Sequence, residues 1–390
     1  MRQAFEAAWS RQPEALALQA RREAARARHQ SAQAWTPEPV AVELSTKTDR
    51  LNRNLGKREH EVGVAVPIWL PGERRISQAL ADAESSAVES RSSAAQLRVA
   101  GTVREAWWAW QRARAEADTV HGQLDNAQRI ATDVGKRLKA GDLARADQHQ
   151  ADGAVAAAEA AVAQAEAAVV GARQVLRALT ASPALGAGAG AGERGGSAAV
   201  DAEPDPGASA SAIDTHGELL ALKDRAIVAE GMAVLAATQS RANPELTLAT
   251  TRDRGAAGER LQQTLTLGLR FPFGGGPRHG ARTAAARAET IELHAQLNLE
   301  RARLAGERES AQARTDAARL QLVAADRRAQ LARESRGFFD KSFRLGETDL
   351  PTRLRIEAEA AEAERQAARA RIEVAAALSA WRQALGLLPQ

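Results

Sequence analysis

Apolar and polar residues follow two different periods along this chain, and the switches between them mark its elements. Over Glu61–Leu70, the residues Val62, Val64, Val66, Ile68 and Leu70 alternate with Glu61, Gly63 and Ala65. Over Leu261–Phe273, the residues Leu265, Leu267, Leu269, Phe271 and Phe273 alternate with Thr264, Thr266, Gly268 and Arg270. A period of two over about ten residues predicts strands with one apolar face and one small or polar face, as in a barrel wall between lipid and a water-filled lumen. A second β-like segment precedes each of these, Pro39–Arg50 and Glu245–Arg254. The polar run Asn52–Arg58 and the glycine-rich Gly255–Gly258 read as the hairpin loops between them.

The period then changes. After Pro71-Gly72 and after Gly274-Gly275-Gly276-Pro277, helix-forming sequence runs without proline over 73–140 and 278–344. At 1.5 Å per residue each helix is roughly 100 Å long. Both end at glycine turns, Ala140-Gly141-Asp142-Leu143 and Leu345-Gly346-Glu347-Thr348, and helices return over about 145–180 and 351–386. Each pair predicts a long antiparallel hairpin. Helical stretches at roughly 3–34 and 212–240 open the two halves.

The halves are copies. Shifted by 205 positions, Pro39 falls on Pro244, Gly63 on Gly268, Pro67 on Pro272, Arg98 on Arg303 and Gly141 on Gly346, with no gap. Ala79, Ala81, Ala83 and Glu84 fall on Ala284, Ala286, Ala288 and Glu289. Glycine and proline matches at element boundaries carry more weight than alanine matches in an alanine-rich chain. Three regions result: a first repeat at 1–182, a Gly-, Ala-, Ser- and Pro-rich stretch at 183–212 that reads as a flexible linker, and a second repeat at 213–390. The fold class is mainly α with a small β part, in two strand-strand-long-hairpin repeats.

Composition narrows the chemistry. Aromatics make up only 3% of the 390 residues and tyrosine is absent, so a thick globular core is not expected; alanine seams suit helices packed side by side. The 53 basic and 49 acidic residues are interspersed, which reads as solvated helix faces rather than a nucleic-acid groove. With no cysteine, disulfides, thiolate metal sites and a cysteine nucleophile are excluded. The seven histidines are scattered and form no local ligand set, so no metal site is expected; no phosphate loop and no nucleophile–base pair is present, so no cofactor and no catalytic residue is expected. No apolar run reaches the length of a membrane-spanning helix, and Met1–Phe5 lacks the apolar core of a signal peptide.

Four strands cannot close a membrane barrel, since open edges leave backbone groups unpaired in lipid at several kcal/mol each and bacterial barrels start at about eight strands. Alanine seams likewise bury little surface without neighbours. Both arguments predict a ring of chains.

The strand exits Val66-Pro67-Ile68-Trp69-Leu70-Pro71-Gly72-Glu73-Arg74-Arg75 and Leu269-Arg270-Phe271-Pro272-Phe273-Gly274-Gly275-Gly276-Pro277-Arg278, the tip glycines Gly141 and Gly346, and the late segment Ala380–Gly386 resemble the TolC-like outer-membrane efflux proteins. The resemblance covers essentially the whole chain, and the first repeat looks most like the heavy-metal cation (CzcC-like) branch. It implies a homotrimer with one 12-stranded barrel in outer-membrane lipid. It also implies a periplasmic helical tunnel docked on an adaptor (membrane fusion) protein and an inner-membrane pump. The channel is then a passive conduit.

The resemblance also assigns sites. The tips Arg137, Leu138, Gly141, Asp142 and Leu143, with Phe343, Arg344, Leu345, Gly346, Glu347 and Thr348, are expected to contact the adaptor. Six residues beyond the tip glycines stand Asp147 and Thr352, the expected pore constriction; only the first repeat keeps the acid. The competing reading of Asp147, and the one the residue type favours, is an ordinary helix-start carboxylate placed by the helix dipole. Trp35, Trp69, Phe271 and Phe273 fit an interfacial aromatic girdle, or packing at the junction of strands and helices. Trp107, Trp108 and Trp110 are expected to pack within their helix. Two competing readings are a periplasmic adaptor, which has one hairpin and more β structure, and a soluble coiled-coil scaffold, which lacks alternating strands.

Overall fold

A computed structural model describes residues 1–52, 54–181, 202–206, 212–273 and 275–390. Its elements run α1 (Arg2–Trp9), α2 (Pro13–Gln33), β1 (Ala41–Thr48), β2 (Arg58–Pro67), α3 (Glu73–Ala140), α4 (Arg145–Thr180), a short 3-10 turn (Ile213–Thr215), α5 (Gly217–Thr238), β3 (Glu245–Arg254), β4 (Gln262–Arg270), α6 (Gly276–Arg344) and α7 (Leu350–Ala384). The chain is mostly helical with one small antiparallel sheet. It divides into two compact units: one of Met1–Leu16, Ala94–His216 and Ala302–Gln390, the other of Ala17–Ser93 and Gly217–Arg301.

The second unit holds the sheet, in the order β1-β2-β3-β4. Both hairpins and the β2·β3 contact between repeats are antiparallel, and the register puts residues of like parity on one face. Val42 and Leu44, Val62, Val64 and Val66, Leu246 and Leu248, and Leu265, Leu267 and Leu269 share a face that is largely open: Leu44, Leu265 and Leu267 are each more than 70% exposed. The opposite face is small and polar. There the matched glycines of the two repeats find a common reason. A Cβ on Gly63 would lie 3.2 Å from the Ala249 Cβ, and one on Gly268 would lie 2.5 Å from the Thr247 hydroxyl, so a larger residue at either position crowds its cross-strand neighbour.

Both ladders end earlier than alternation predicts, and β2 also begins earlier, at Arg58 rather than Glu61. β2 ends at Pro67 and β4 at Arg270, so Ile68, Leu70, Phe271 and Phe273 lie beyond the ladder, and Leu70 is buried rather than on the open face. A proline stands at or just past each ladder end, Pro67 and Pro272, where its missing N–H costs the sheet least. At the exit, the buried Glu73 carboxylate accepts from the Leu70 N–H (2.9 Å) and from the side chains of Gln239 and Asn243 (both 2.7 Å). One acidic side chain thereby ties the first repeat's strand exit to the residues that lead into β3.

In the other unit, side-chain contacts link helices in the order α4–α3–α7–α6. Ala117, Val120 and Ala165 join α3 to α4; Trp108, Ile372, Ala375 and Ala376 join α3 to α7; Ala329, Ala363 and Ala367 join α6 to α7. Trp107 and Trp110 meet edge-on at 5.4 Å, and the three tryptophans pack among α1, α3, α4 and α7 as their mid-helix positions predict.

One expectation is corrected by composition. One 18-residue stretch within α4 is, at mean hydropathy 1.3, long and apolar enough to cross a membrane, although no such run was expected. The helix owes its apolarity to alanine and valine, and Asp152, Glu159 and Glu166 interrupt it, each costly in a bilayer.

The linker expectation divides. Residues 183–201 and 207–211 lie outside the described residues, whereas 202–206 form a strap built into the helices. Glu203, 1% exposed, accepts two hydrogen bonds from Arg104 (2.8 and 2.9 Å) and one from the Ser379 hydroxyl (2.5 Å), and Arg382 stands 3.4 Å away. Arg382 donates to the Pro204 carbonyl at 2.9 Å, and Arg319 bonds Asp205 at 2.6 Å. The strap thus joins α3 of the first repeat to α6 and α7 of the second. Composition concealed this, because one glutamate among small residues carries no periodic signal.

Burial pushes the Glu203 carboxyl up, but Arg104, the Ser379 hydroxyl and Arg382 outweigh it and hold it below its ordinary 4.5. A depressed folded-state value means that the contribution is whole above 4.5 and is lost as pH falls through the lower folded value. Glu203→Ala leaves two buried guanidiniums uncompensated and should destabilise this unit by about 3–5 kcal/mol in denaturant titrations at neutral pH. The difference from the unsubstituted protein should shrink as pH drops below the ordinary carboxylate range; a pH-independent difference would count against this account.

Candidate functional site

The two hairpin tips come together in the α4–α3–α7–α6 unit. Each long helix ends the same way. Gly141 and Gly346 take positive φ (89° and 77°), and the following N–H groups, of Asp142 and Glu347, donate back to the carbonyls of Arg137 and Ser342 at 2.9 and 3.0 Å. This is the glycine-closed helix end that sequence predicts, and it explains both tip glycines by backbone conformation alone.

Between the tips lies Phe343, 2% exposed, packed with Ile130, Val134, Ala151 and Leu350. Two guanidiniums flank its ring: Arg137 at 4.7 Å and Arg353 at 4.6 Å from the centroid. Arg137 also donates to the Phe343 carbonyl at 3.1 Å. Carboxylates hold the arginines in place. Asp340 bonds Arg353 at 2.7 Å, and Asp133 stands 3.6 Å from Arg353 and 3.7 Å from Arg137. α3, α6 and α7 are therefore locked at the tip by an aromatic ring between two cations, a geometry in which partly desolvated cation–π contacts are worth about 1–2 kcal/mol each.

Of the eleven tip residues singled out by sequence, Arg137 and Phe343 form this lock. Leu143 packs on its edge, and Leu138 is half-buried. Arg344 pairs with Asp340 at 2.7 Å, and Thr348 meets the Ser342 hydroxyl at 2.6 Å. The exposed outermost residues are Asp142, Leu345 and Glu347, with Leu345 at 75%. Asp133, Asp340 and Arg353 were missed. Asp133 and Arg137 stand four apart on one helix, a readable local pair, but Arg353 is recognisable only once α7 is placed against α3 and α6.

Asp147 accepts from the Ala144 N–H at 2.9 Å and so closes the start of α4. Thr352 is bound in the matching place on α7: its N–H donates to Asp349 at 3.1 Å, and Asp349 caps that helix. The Thr352 bonds hold the Asp349 carboxyl below its usual range. Among the described residues no hydrogen bond or ion pair joins Asp147 to Thr352. The two tips thus use different acids to cap the return helix, third in the helix in one repeat and ahead of it in the other.

In the sheet unit, Trp69 donates from Nε1 to the Ala34 carbonyl at 3.2 Å, packing at the junction of strand and helix. Trp35 (93% exposed), Phe271 (44%) and Phe273 (84%) stand open, and Arg241 lies 6.0 Å from the Phe271 ring. No group of three or more metal-binding side chains occurs among the described residues.

Residues 5–182 match the model of the outer membrane efflux protein family. No curated protein matches the sequence. Among solved structures, the outer membrane protein VceC of Vibrio cholerae is similar over 98% of this chain and 95% of its own, with TM-score 0.77 at 17% identity. CusC is similar over 98% and 91%, with TM-score 0.79 at 15% identity. The outer membrane channel CmeC of Campylobacter jejuni is similar over 98% and 84%, with TM-score 0.75 at 13% identity.

Replacing the ring between the arginines should open the tip selectively. Phe343→Ala should cost about 3–5 kcal/mol locally. Hydrogen exchange should accelerate over residues 130–151 and 340–354, while the Glu203 strap keeps its protection; a uniform acceleration throughout the unit would show that the tip is not a separate lock.

Proposed function

We propose that this chain, whose residues 5–182 match the outer membrane efflux protein family, is the outer-membrane channel of a tripartite efflux system, a passive conduit assembled as a homotrimer. Members of this family are trimeric and work with adaptor and pump partners. The observation that carries the reading is the sheet: four strands with one open apolar face and no partner on the outer edges of β1 and β4 among the described residues. Three copies supply twelve strands, enough to pair every edge and close a barrel in the outer membrane.

The helices support the same assembly. In the α4–α3–α7–α6 order, both outer members carry apolar residues that no described residue covers. On α6 these are Leu320, Val323, Leu331 and Phe338, all more than half exposed; on α4 they are Val170 and Val175 among exposed alanines. Leu320, Leu331 and Phe338 lie within about 20° of one line on the helix surface, given 100° per residue. Large side chains on one edge and small ones on the other suit side-by-side packing of copies. An adaptor or a coiled-coil scaffold gives no account of an apolar sheet face continuous with two long hairpins.

In this reading the exposed Asp142, Leu345 and Glu347 meet the adaptor, and Asp147 and Thr352 stand near the constriction. Cargo delivered by the pump passes without chemistry. Heavy-metal cations are the cargo to test first, on the resemblance of the first repeat to the CzcC-like branch; a deletion strain sensitised to metal salts supports that cargo, and one sensitised only to organic drugs overturns it.

Detergent-purified protein should have a protein mass three times 41.4 kDa and open stable conductances in planar bilayers. Leu331→Glu with Phe338→Glu should yield monomer and abolish conductance. Monomeric unsubstituted protein, or trimers that do not conduct, would overturn the channel reading. Asp147→Asn tests the constriction alone: unchanged cation preference in conducting trimers would leave Asp147 as a helix cap and nothing more.

A further inference from the structure

The open face of the sheet changes character at its loop end. Beyond the apolar band, the same parity of residues becomes basic. The register sets Arg58 opposite Arg254 and His60 opposite Arg252, on the face that carries Val62, Val64, Leu246 and Leu248. Thr46 and Thr48 of β1 and Gln263 of β4 complete the row, so no carboxylate stands on this face at that level. The acids of these strand ends, Glu59 and Asp253, alternate to the other face, where Glu59 is bonded to Lys47 at 2.8 Å. The open face at this level is therefore purely cationic, while the acids lie behind it, Glu59 already paired with Lys47.

Like charges directly opposite each other on neighbouring strands destabilise a sheet. Arg254 is partly compensated, since its Nε donates to the Gly56 carbonyl at 3.1 Å and ties β3 to the first hairpin loop. The second loop closes on the first through the Ala257 N–H and the Leu55 carbonyl at 2.9 Å, so the three arginines sit on a fixed platform. Arg58 and Arg252 are exposed and have no hydrogen bond or ion pair among the described residues. Two uncompensated guanidiniums, a third beside them and an apolar wall below them describe the complement of an amphiphile with an anionic head. A guanidinium pairs bidentately with phosphate, and the multiple acceptors of one phosphate can serve several forks at once.

We infer that Arg58, Arg252 and Arg254 form a binding site for the headgroup phosphate of a phosphorylated glycolipid in the outer leaflet, with its acyl chains lying on the face of Val62, Val64, Leu246 and Leu248. The inference rests on the outer-membrane placement of the sheet. The strands leave for α3 and α6 at the opposite end, on the periplasmic side. The loop end and its arginines therefore face outward, at headgroup level. A juxtamembrane cation near an anionic surface is worth a factor of roughly five in binding.

The test uses the full-length channel extracted from outer membranes and reconstituted in phosphatidylcholine vesicles. These are doped with a bis-phosphorylated lipid A, with its dephosphorylated form, or left undoped with inorganic phosphate in the buffer. The phosphorylated lipid should copurify with the channel and raise its melting temperature; the dephosphorylated lipid and inorganic phosphate should not. Arg58→Gln with Arg252→Gln should cut retention roughly five-fold for each arginine removed, whereas Arg91→Gln, on an exposed helix face, should leave it unchanged. Equal effects of the two lipids, saturation by inorganic phosphate alone, or full retention by the double variant overturns the site. The lipid comparison on unsubstituted protein decides even where the double variant fails to assemble. Conductance in neutral bilayers, read on the same preparation, keeps failure of the lipid site separate from failure of the channel reading.

Discussion

The outer edges of β1 and β4, unpaired among the described residues, are the constraint on which the molecule turns. A four-stranded sheet with an open apolar face is stable neither in water, where that face is wetted, nor in lipid as one copy, where two rows of backbone groups lack partners. In the proposed assembly both problems are solved by the same act, closure with other copies. The requirement is set by backbone chemistry before any particular side chain is considered. The open faces on α4 and α6 repeat the demand in the helical unit, where alanine seams bury too little on their own.

Within one chain, stability in the helical unit is concentrated rather than spread. Most ion pairs between its helices are solvent-exposed, such as Arg112 with Glu373 and Arg371 with Asp326, and pairs of that kind contribute little. Two places differ. At the strap, Glu203 is enclosed with Arg104 and Arg382; at the tip, Phe343 is enclosed between Arg137 and Arg353. Each joins a helix of the first repeat to helices of the second. The repeat architecture supplies parallel rods, and these two clasps decide where the rods are bound to each other.

Much of this was legible in the sequence, and the reason lies in which signals are periodic. Alternation from Val62 to Val66 and from Leu265 to Leu269 places the open face correctly, because the pleat permits only two sides. The offset of 205 residues pairs Gly63 with Gly268 and Gly141 with Gly346, and each pair has a local cause, cross-strand crowding in the first and positive φ in the second. Strand ends were overrun, since alternation continues into Ile68 and Phe273 after the ladder has ended. The clasps were not legible. Glu203 lies in a stretch whose composition reads as a spacer, and Arg353 is one of many arginines until α3 and α6 are set beside it. Buried charge is invisible to periodicity because it depends on what other segments bring.

The asymmetry between repeats follows from the same economy of local rules. Both tips need a glycine to turn and an acid to cap the helix that returns. The first repeat places its acid inside the helix, at Asp147, and the second places it ahead of the helix, at Asp349. Either position satisfies the orphan N–H groups of a helix start. The two repeats therefore share what backbone geometry requires, the glycine, and place the carboxylate in two equivalent positions. A carboxylate bonded to the backbone in this way loses freedom to reach across the lumen of the proposed channel. Tip charge in this chain is thus first a property of helix ends, and any effect on passing ions is exerted through charges already committed to backbone N–H groups.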